Sequence, residues 1–350
     1  MKKRIVVLGG GISGYGTAIL AKKEGLDVFL SDAGTISPLY RSRLEQWNVE
    51  FEQGGHTVEK IVNATEVVKS PGIPDKAPIV VAIRERGIPV ISEMEFAARY
   101  MGSAKTICIT GSNGKTTTTS LIYKILSDAG YNVALGGNIG ESFAYSVATG
   151  AYDWYVLELS SFQLDGMFDF RANIAVLMNI TPDHLDRYNY CFQKYVDSKM
   201  RIVQNQKSND CFIYSADDNT ILAELTKHPL RSRELPFMAK SAVASGAGDA
   251  FLSGESFTAR VGDVAVDIDT QKMQIKGLHN AYDAMAAALA ALAAGVAPEQ
   301  VAEEAEKIVF QTLLFRSVGL FGGFAVESGE LSVPDVDGPV AFYVRENTTK

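Results

Sequence analysis

The chain has 350 residues, of which 47% are hydrophobic and 21% charged, and its formal net charge is −8. This composition is typical of a globular protein, and the length predicts more than one domain. The negative charge and the absence of a Lys/Arg-rich run argue against a nucleic-acid partner. No apolar run approaches the roughly 18 residues of a membrane span, so no membrane partner is expected. The three cysteines lack metal-ligand spacing, which fits a reducing, cytoplasmic setting.

The first predicted elements form a βαβ unit with a glycine-rich turn. A strand over residues 5–8 leads into Gly9, Gly11 and Gly14, which spell G-x-G-x-x-G at the start of a helix. Such a turn lets a phosphorylated ligand approach the backbone at a helix N-terminus. Asp32 follows, near where an acid that binds a ribose would stand. A nucleotide diphosphate and a dinucleotide such as NAD both satisfy this pattern.

The second glycine-rich turn follows a predicted strand over residues 106–110. Gly111 and Gly114 let backbone N–H groups turn toward a phosphate, and Lys115 can reach the β- and γ-phosphates of a nucleotide. The hydroxyl of Thr116 can ligate Mg²⁺. Only two residues separate the glycines, so the full pattern G-x-x-x-x-G-K-[ST] is not met. The turn nevertheless predicts a phosphate-binding loop for ATP or GTP.

Several single residues are further candidates. Glu158 ends a predicted strand, where ligands bind in parallel sheets, and is placed to be a Mg²⁺ ligand. Asp183 and His184 follow another strand end. Lys199 lies on a predicted helix and, by itself, is typical of a surface lysine. Asn280 starts an alanine-rich helix, where its amide can cap the helix or bind a base.

Eight motifs in a fixed order give a family resemblance. They are GGGISGYGTA at 9–18, KSPGIP at 69–74, GSNGKTT at 111–117, GGNIG at 136–140, ELSSFQLD at 158–165, NITPDHLDRY at 179–188, SKMRI at 198–202 and GLHN at 277–280. Together they resemble the motifs of the Mur ligases of peptidoglycan synthesis, over residues 1 to about 308. KSPGIP and ELSSFQLD are similar to those of the D-glutamate-adding members.

The resemblance implies an α/β fold in two domains. Residues 1–95 would be a Rossmann-like parallel-sheet domain that binds the UDP-substrate. Residues 96–308 would be a central P-loop ATP-binding α/β domain of Mur ligase type. The implied activity is an ATP-dependent ligase that adds D-glutamate to UDP-N-acetylmuramoyl-L-alanine through an acyl phosphate, in a monomeric cytoplasmic protein. The implied cofactors are ATP and two Mg²⁺ ions.

The resemblance also assigns residues to roles. The implied ATP-binding residues are Gly111, Ser112, Asn113, Gly114, Lys115, Thr116, Thr117, Asn280 and Asp283. The implied UDP-substrate residues are Gly11, Ile12, Ser13, Gly14, Asp32, Ser70, Gly72, Asn138 and His184. The implied metal ligands are Thr116, Glu158, His184 and Lys199, and the implied catalytic residues are Lys115, His184 and Lys199.

Lys199 and Asp283 stand out among these residues. Lys199 matches a lysine that is carbamylated in the family, which would turn a cation into a metal-binding anion. Asp283 stands where the family usually has Asn. A carboxylate can accept from the adenine amino group but cannot donate to a ring nitrogen. The resemblance therefore predicts altered adenine affinity or selectivity.

The last segment, residues 309–350, departs from the pattern. Residues 310–316 resemble the opening of the family's third domain, and no family motif follows Arg316. We expect an aberrant or truncated remnant of a C-terminal domain there, which is our hypothesis of a truncated, frameshifted or otherwise altered end. Two alternative functions therefore stay open: a catalytically impaired fragment that binds UDP-muramoyl-alanine and ATP, and an NAD-dependent oxidoreductase, which depends on the first glycine turn alone.

Overall fold

Two α/β units succeed each other along the chain. The structure, a computed structural model, describes residues 3–227, 229–239, 249–273 and 277–307, together with short strands at 325–327 and 330–332. The N-terminal unit contains β1 (Arg4–Leu8), α1 (Ile12–Lys23), β2 (Asp27–Asp32), α2 (Pro38–Gln46), β3 (Glu50–Gln53), α3 (Val58–Ile61), β4 (Glu66–Lys69), α4 (Pro78–Glu85), β5 (Val90–Ile91) and α5 (Glu93–Ala98).

The five strands of this unit form a sheet in the order β3-β2-β1-β4-β5, with every pairing parallel. The apolar run of β1 is buried from Ile5 to Leu8, because helices cover both faces of the sheet. The predicted open parallel sheet is therefore confirmed. The prediction missed β3, whose sequence Glu-Phe-Glu-Gln lacks the apolar run of its neighbours.

The central unit is larger and carries a mixed sheet. Its elements are β6 (Lys105–Thr110), α6 (Lys115–Asp128), β7 (Val133–Gly137), α7 (Phe143–Thr149), β8 (Trp154–Glu158), α8 (Ser161–Leu164), β9 (Ile174–Leu177), α9 (Phe192–Met200), β10 (Cys211–Ser215), α10 (Asn219–Lys227), β11 (Arg233–Met238), β12 (Ala250–Ser253), β13 (Ser256–Val261), β14 (Val264–Asp269), α11 (Leu278–Ala294) and α12 (Pro298–Lys307). Single 3₁₀ turns cover Leu185–Tyr188 and Arg201–Val203.

The strand order of the central sheet is β14-β13-β12-β11-β10-β9-β6-β8-β7. The pairings from β7 to β12 are parallel, and the hairpin of β13 and β14 adds an antiparallel edge. The predicted α/β fold class is confirmed. Strand β6 lies between β8 and β9, so the ends of these three strands meet at one edge of the sheet. That edge positions the phosphate loop beside the residues that follow β8 and β9.

Helix α5 joins the two units and packs against α1 and α7. Its Glu95 carboxylate accepts hydrogen bonds from the backbone N–H groups of Phe168 and Phe170, at 2.8 and 2.9 Å. On the other side, Arg43 of α2 donates to Tyr15 of α1 and to Glu141 of the central unit. Polar side chains thus help to hold the two units together.

The C-terminal part of the chain is described only in pieces. Within the described segments, no helix is both long and apolar enough to cross a membrane. The strands β15 (Ala325–Glu327) and β16 (Glu330–Ser332) pair antiparallel. The remainder of the segment 309–350, for which we predicted a remnant of a third domain, lies outside the described residues.

Candidate active site

The phosphate loop lies between β6 and α6, as the sequence predicted. Gly114 caps the helix with φ +81°, a left-handed conformation that favours glycine. The Lys115 amine folds back over the loop and donates to the carbonyl oxygens of Gly111 and Ser112, at 2.8 and 2.9 Å. Burial lowers the pKa of Lys115. The loop therefore combines a helix N-terminus with a lysine, as phosphate binding requires.

Residues that the sequence interpretation did not single out hold this loop. Asn179 clamps Asn113 at both ends: its Oδ1 accepts from the Asn113 N–H at 2.9 Å, and its Nδ2 donates to the Asn113 carbonyl at 3.1 Å. The Ser112 hydroxyl donates to the Thr181 carbonyl at 2.8 Å and lies 3.0 Å from the Tyr195 hydroxyl. The place of Asn179 two residues beyond the end of β9 was the available signal for its role.

Thr116 and Glu158 come together beside the loop. The Thr116 hydroxyl donates to Glu158 Oε2 at 2.8 Å, and Asn138 Nδ2 donates to Glu158 Oε1 at 2.8 Å. Glu158 is 1% exposed, and no lysine or arginine among the described residues forms an ion pair with it. A hydroxyl and a carboxylate are the hard oxygen donors that Mg²⁺ prefers beside phosphates, so this pair fits the ion.

The other two predicted metal ligands are not joined to this pair by any contact. His184 Nε2 lies 3.5 Å from the Asp183 carboxylate, and its ring packs against Phe162. His184 also has φ +50°, an uncommon conformation for a residue with a side chain. No group of three or more His, Cys, Asp or Glu side chains in the described segments is arranged to hold a metal ion. The four-residue metal set stays a prediction.

Lys199 corrects the interpretation of a surface lysine. It is 2% exposed, because α9 packs it under the phosphate loop. Its amine donates to the Gly111 carbonyl at 2.8 Å and lies 4.8 Å from the centre of the Tyr195 ring. Burial, and next the charge of Lys115, lower the pKa of Lys199 to about 7, against an opposing effect of Asp183. The solvent exposure expected for an isolated lysine was wrong here because the fold brings α9 against the loop.

The three predicted catalytic residues line one cavity of about 310 Å³. Its lining includes Lys115, Asn138, His184 and Lys199, with Gly72 reaching in from the N-terminal unit. The two units therefore meet at this cavity. A substrate that starts in the N-terminal unit can reach the phosphate loop here.

A second cavity, of about 690 Å³, opens on the other side of the loop. Its lining includes the predicted ATP residues Gly114, Thr117, Asn280 and Asp283. Asp283 is buried, and its Oδ1 accepts from the Thr118 hydroxyl at 3.2 Å. Burial raises the pKa of Asp283 to about 7. The side chain therefore contacts the first turns of α6, the helix that follows the phosphate loop.

A third cavity, of about 720 Å³, lies in the N-terminal unit and includes Gly9, Asp32 and Gly72 in its lining. Each carboxylate oxygen of Asp32 accepts one backbone hydrogen bond: Oδ2 accepts from the Gly10 N–H at 2.5 Å and Oδ1 from the Gly34 N–H at 2.6 Å. Asp32 thus fixes the glycine turn.

The remaining predicted UDP-substrate residues surround the same turn. Ile12 is the first residue of α1, and the Gly11 that precedes it has open space around its Cα. Ser13 is buried beside Glu93 rather than facing the cavity. A side chain at Gly14 would collide with the Gly9 carbonyl, so Gly14 serves close packing. The Ser70 hydroxyl is buried and makes no hydrogen bond to the described residues.

Comparison with known proteins matches this architecture. A family model described as the Mur ligase middle domain matches residues 109–291, and one described as the Mur ligase MurD-like N-terminal domain matches residues 3–92. A Bacteroides fragilis protein named UDP-N-acetylmuramoylalanine--D-glutamate ligase is 51% identical over 299 residues, 85% of this chain and 66% of that protein. A Porphyromonas gingivalis protein of the same name is 46% identical over 303 residues, 87% of this chain and 67% of its own. The chain spans about two thirds of the length of these relatives.

Solved structures show the same fold at low identity. A UDP-N-acetylmuramate:L-alanyl-gamma-D-glutamyl-meso-diaminopimelate ligase from Neisseria meningitides is similar with a TM-score of 0.62 and 20% identity, over 88% of this chain and 99% of that one. A UDP-N-acetylmuramate-alanine ligase from Thermotoga maritima is similar with a TM-score of 0.53 and 20% identity, over 88% and 68%.

Proposed function

The chain belongs to the Mur ligase family, and we propose that it is an ATP-dependent ligase that joins D-glutamate to UDP-N-acetylmuramoyl-L-alanine. The observation that carries the proposal is the cavity where Lys115 of the phosphate loop lines the same space as Asn138, His184 and Lys199. The relatives that bear this ligase name are about half identical in sequence over most of the chain.

In the proposed reaction, the alanine carboxylate of the UDP-substrate attacks the γ-phosphorus of ATP. The bond between that phosphorus and the ADP oxygen breaks, which gives an acyl phosphate. The amine of D-glutamate then attacks the acyl carbon, and the resulting tetrahedral intermediate loses phosphate and a proton to leave the amide. Positioning and charge neutralisation supply most of the catalysis in such transfers.

The roles of the protein groups follow from their places. The N–H groups at the start of α6, with Lys115, would hold the phosphates of ATP. Thr116 and Glu158 would hold Mg²⁺, which neutralises phosphate charge when it is bound. Asn138 already donates to Glu158 and would orient that carboxylate.

The two units divide the ligands in this proposal. Residues 1–95 would bind the uridine diphosphate end of the substrate around Gly11–Gly14 and Gly72. Residues 96–308 would bind ATP between the phosphate loop and the pair Asn280 and Asp283. We also include a cytoplasmic location and a monomeric state in the proposal, as the family resemblance implies; the three free cysteines fit a reducing compartment.

Phosphate release by the purified chain tests the function. We expect release from ATP to require UDP-N-acetylmuramoyl-L-alanine and to rise with D-glutamate but not with L-glutamate, with the amide product seen by mass spectrometry. ATP hydrolysis that ignores both the UDP-substrate and the amino acid would contradict the proposal.

We propose in addition that Lys199 carries a carbamate. Its amine is buried, and the described residues offer it a carbonyl oxygen and an aromatic ring but no carboxylate at ion-pair distance. An uncharged amine is the form that adds CO₂: a nitrogen–carbon bond forms, one proton leaves, and the product is an anion. An anion there would sit beside the cationic Lys115 and would suit a divalent ion.

Lys199→Ala checks this role. We expect UDP-substrate-dependent turnover to fall by at least about tenfold, as for lost metal-site support. Added bicarbonate should raise the turnover of CO₂-depleted wild type but not that of the variant. Lys194→Ala, on the exposed face of the same helix, is the matched control and should respond to bicarbonate like wild type. Equal bicarbonate responses in the Lys199→Ala variant and wild type would refute the carbamate.

A further inference from the structure

A hydrogen-bonded relay lies under the N-terminal cavity. Ser31 of β2 is fully buried, and its hydroxyl oxygen lies 2.6 Å from Glu52 Oε1 and 2.7 Å from His56 Nδ1. Glu52 also accepts from the Thr57 N–H at 2.8 Å and from the Thr57 hydroxyl at 2.6 Å. Glu52 and His56 flank the end of β3, the strand that the sequence did not reveal. None of these residues has a role in the function proposed above.

The relay fixes which nitrogen of His56 carries the proton. Burial by itself raises the pKa of Glu52, but hydrogen bonds from Ser31 and Thr57 outweigh it and lower that pKa. Glu52 is therefore an ionised carboxylate that only accepts, so the single hydroxyl proton of Ser31 goes to Glu52. The Ser31 oxygen must then accept from His56, which places a proton on Nδ1. In the neutral ring, Nε2 is left as an acceptor.

His56 brings to the cavity lining a ring nitrogen that no other described residue engages. The cavity walls are mostly apolar side chains, among them Val58, Ile73 and Pro74. The other polar side chain in the lining, Asp32, has both oxygens bonded to backbone N–H groups. Nε2 of His56 has no hydrogen-bond partner among the described residues. A flat ring that packs between the apolar walls and donates a hydrogen bond from its edge therefore suits this space.

We propose that His56 selects the base of the UDP-substrate, its Nε2 accepting a hydrogen bond from the N3–H of uracil. This inference rests on the proposed function for the presence of a uridine nucleotide and adds the residue that identifies the base. Uracil presents a donor at N3, whereas cytosine presents an acceptor there. An acceptor at Nε2 favours uracil and opposes the lone pair of cytosine. Ser31 and Glu52 act as positioning residues that hold the ring in the accepting tautomer.

Competitive binding of UDP and CDP to the whole chain tests the inference. Both nucleotides are titrated against a fluorescent UDP-sugar, and the ratio of their dissociation constants is the readout. For wild type we expect UDP to bind more tightly than CDP by about tenfold, the cost of leaving one polar group unpaired. His56→Leu replaces the imidazole with an apolar side chain of similar size. It should weaken the binding of UDP, leave the binding of CDP nearly unchanged and bring the ratio of their dissociation constants close to one.

Two further variants separate base selection from a structural role. Ser31→Ala leaves the imidazole in place but frees its tautomer, so the UDP/CDP ratio should fall part of the way. Val58→Ala is the matched control: this side chain lines the same cavity without hydrogen bonding, so both nucleotides should change alike and the ratio should hold. An unchanged ratio in folded His56→Leu that still binds UDP overturns the inference alone. Failure of wild type to bind either nucleotide overturns the proposed function instead.

Discussion

Glu93 is a buried acid at the point where the two units meet. Its Oε1 accepts from the Ser142 hydroxyl at 2.5 Å and from the Ala144 N–H at 3.1 Å, at the start of α7. Its Oε2 is buried and has no hydrogen-bond partner among the described residues. Burial raises the pKa of Glu93 from 4.5 to about 7, although bonds from Ser13 and Ser142 oppose the shift. The folded chain therefore holds this proton more tightly than the unfolded chain does.

We predict that Glu93→Gln changes the pH dependence of stability. Between about pH 4.5 and 7 the folded state binds more protons at this site than the unfolded state, so wild-type stability contributed by Glu93 is present at low pH and is lost as pH rises. Glutamine stays neutral throughout. Calorimetry should therefore show the melting temperature of the variant, relative to wild type, rising from pH 5 to pH 8. In proteins of 150–250 residues, a change of 1 kcal/mol in the free energy of unfolding shifts the melting temperature by about 2–4 °C.

A control isolates the effect of burial. Glu45→Gln removes an acid that is half exposed and pairs with Arg41 four residues before it, so its effect should vary little across this range. If the melting temperatures of Glu93→Gln and wild type differ by the same amount at pH 5 and pH 8, then the folded chain does not hold the Glu93 proton more tightly than the unfolded chain.

The residues that sequence reasoning missed share one physical cause. Gly111, Gly114, Lys115 and Thr116 could be predicted because a glycine turn between a strand and a helix is a local pattern. The burial of Lys199 depends on α9 folding against a loop that lies 88 positions away in the chain. The relay from Ser31 to His56 spans 25 positions and includes Glu52 of β3, a strand without an apolar run. Non-local contacts of this kind cannot be predicted from the spacing of residues along the sequence.

Among the elements, α1 shows how closely the two units pack. A side chain at Gly16 would place its Cβ 1.9 Å from the Ser142 hydroxyl oxygen and 3.0 Å from the Tyr145 nitrogen. Ser142 caps α7 and also donates to Glu93, so it cannot move without loss of both bonds. The absence of a side chain at Gly16 therefore permits the contact of α1 with α7.

We predict that Gly16→Ala destabilises the chain by about 1–3 kcal/mol, the usual cost of overpacking, despite the higher helix propensity of alanine. Urea unfolding measures the loss. Gly72→Ala is the control, because a Cβ there meets no atom within 4 Å, and it should stay within about 0.5 kcal/mol of wild type. Equal stability of the two variants would mean that the two helices can separate at little cost.

Element boundaries were predicted less well than element types. Strands of both sheets were found where apolar residues run together, as in β1, β6 and β8. Helix α11 begins at Leu278, ahead of Asn280, where the sequence analysis placed its start, because the alanine run marks its buried part and not its first turn. β11 and β12 were missed; β11 has charged residues and a proline in its six positions. Tertiary pairing, and not local propensity, makes that segment a strand.

For the whole molecule, the three cavities are spread over two units with separate sheets. The cavity with His56 belongs to the N-terminal unit, and the cavity with Asn280 and Asp283 belongs to the central unit. The smaller cavity with Lys115 and Gly72 lies between them. The proposed function thus requires one substrate to span two units, and the bonds of Glu93 and Arg43 fix their relative positions.

This separation predicts that the two nucleotide ligands can be lost independently. Lys115→Ala removes the cation that folds over the phosphate loop, so affinity for ATP should fall by at least about tenfold, the loss expected for charged hydrogen bonds. UDP-N-acetylmuramoyl-L-alanine should lose much less affinity than ATP, because the proposed contacts of its uridine diphosphate end lie in the N-terminal unit, away from Lys115. Lys105→Ala is the control: Lys105 begins β6, the strand that leads into the phosphate loop, and lies far from the loop itself, so both affinities should stay unchanged. Calorimetry of each ligand with each folded variant decides the matter: equal loss of both ligands in Lys115→Ala would mean that the phosphate loop also forms part of the UDP-substrate site.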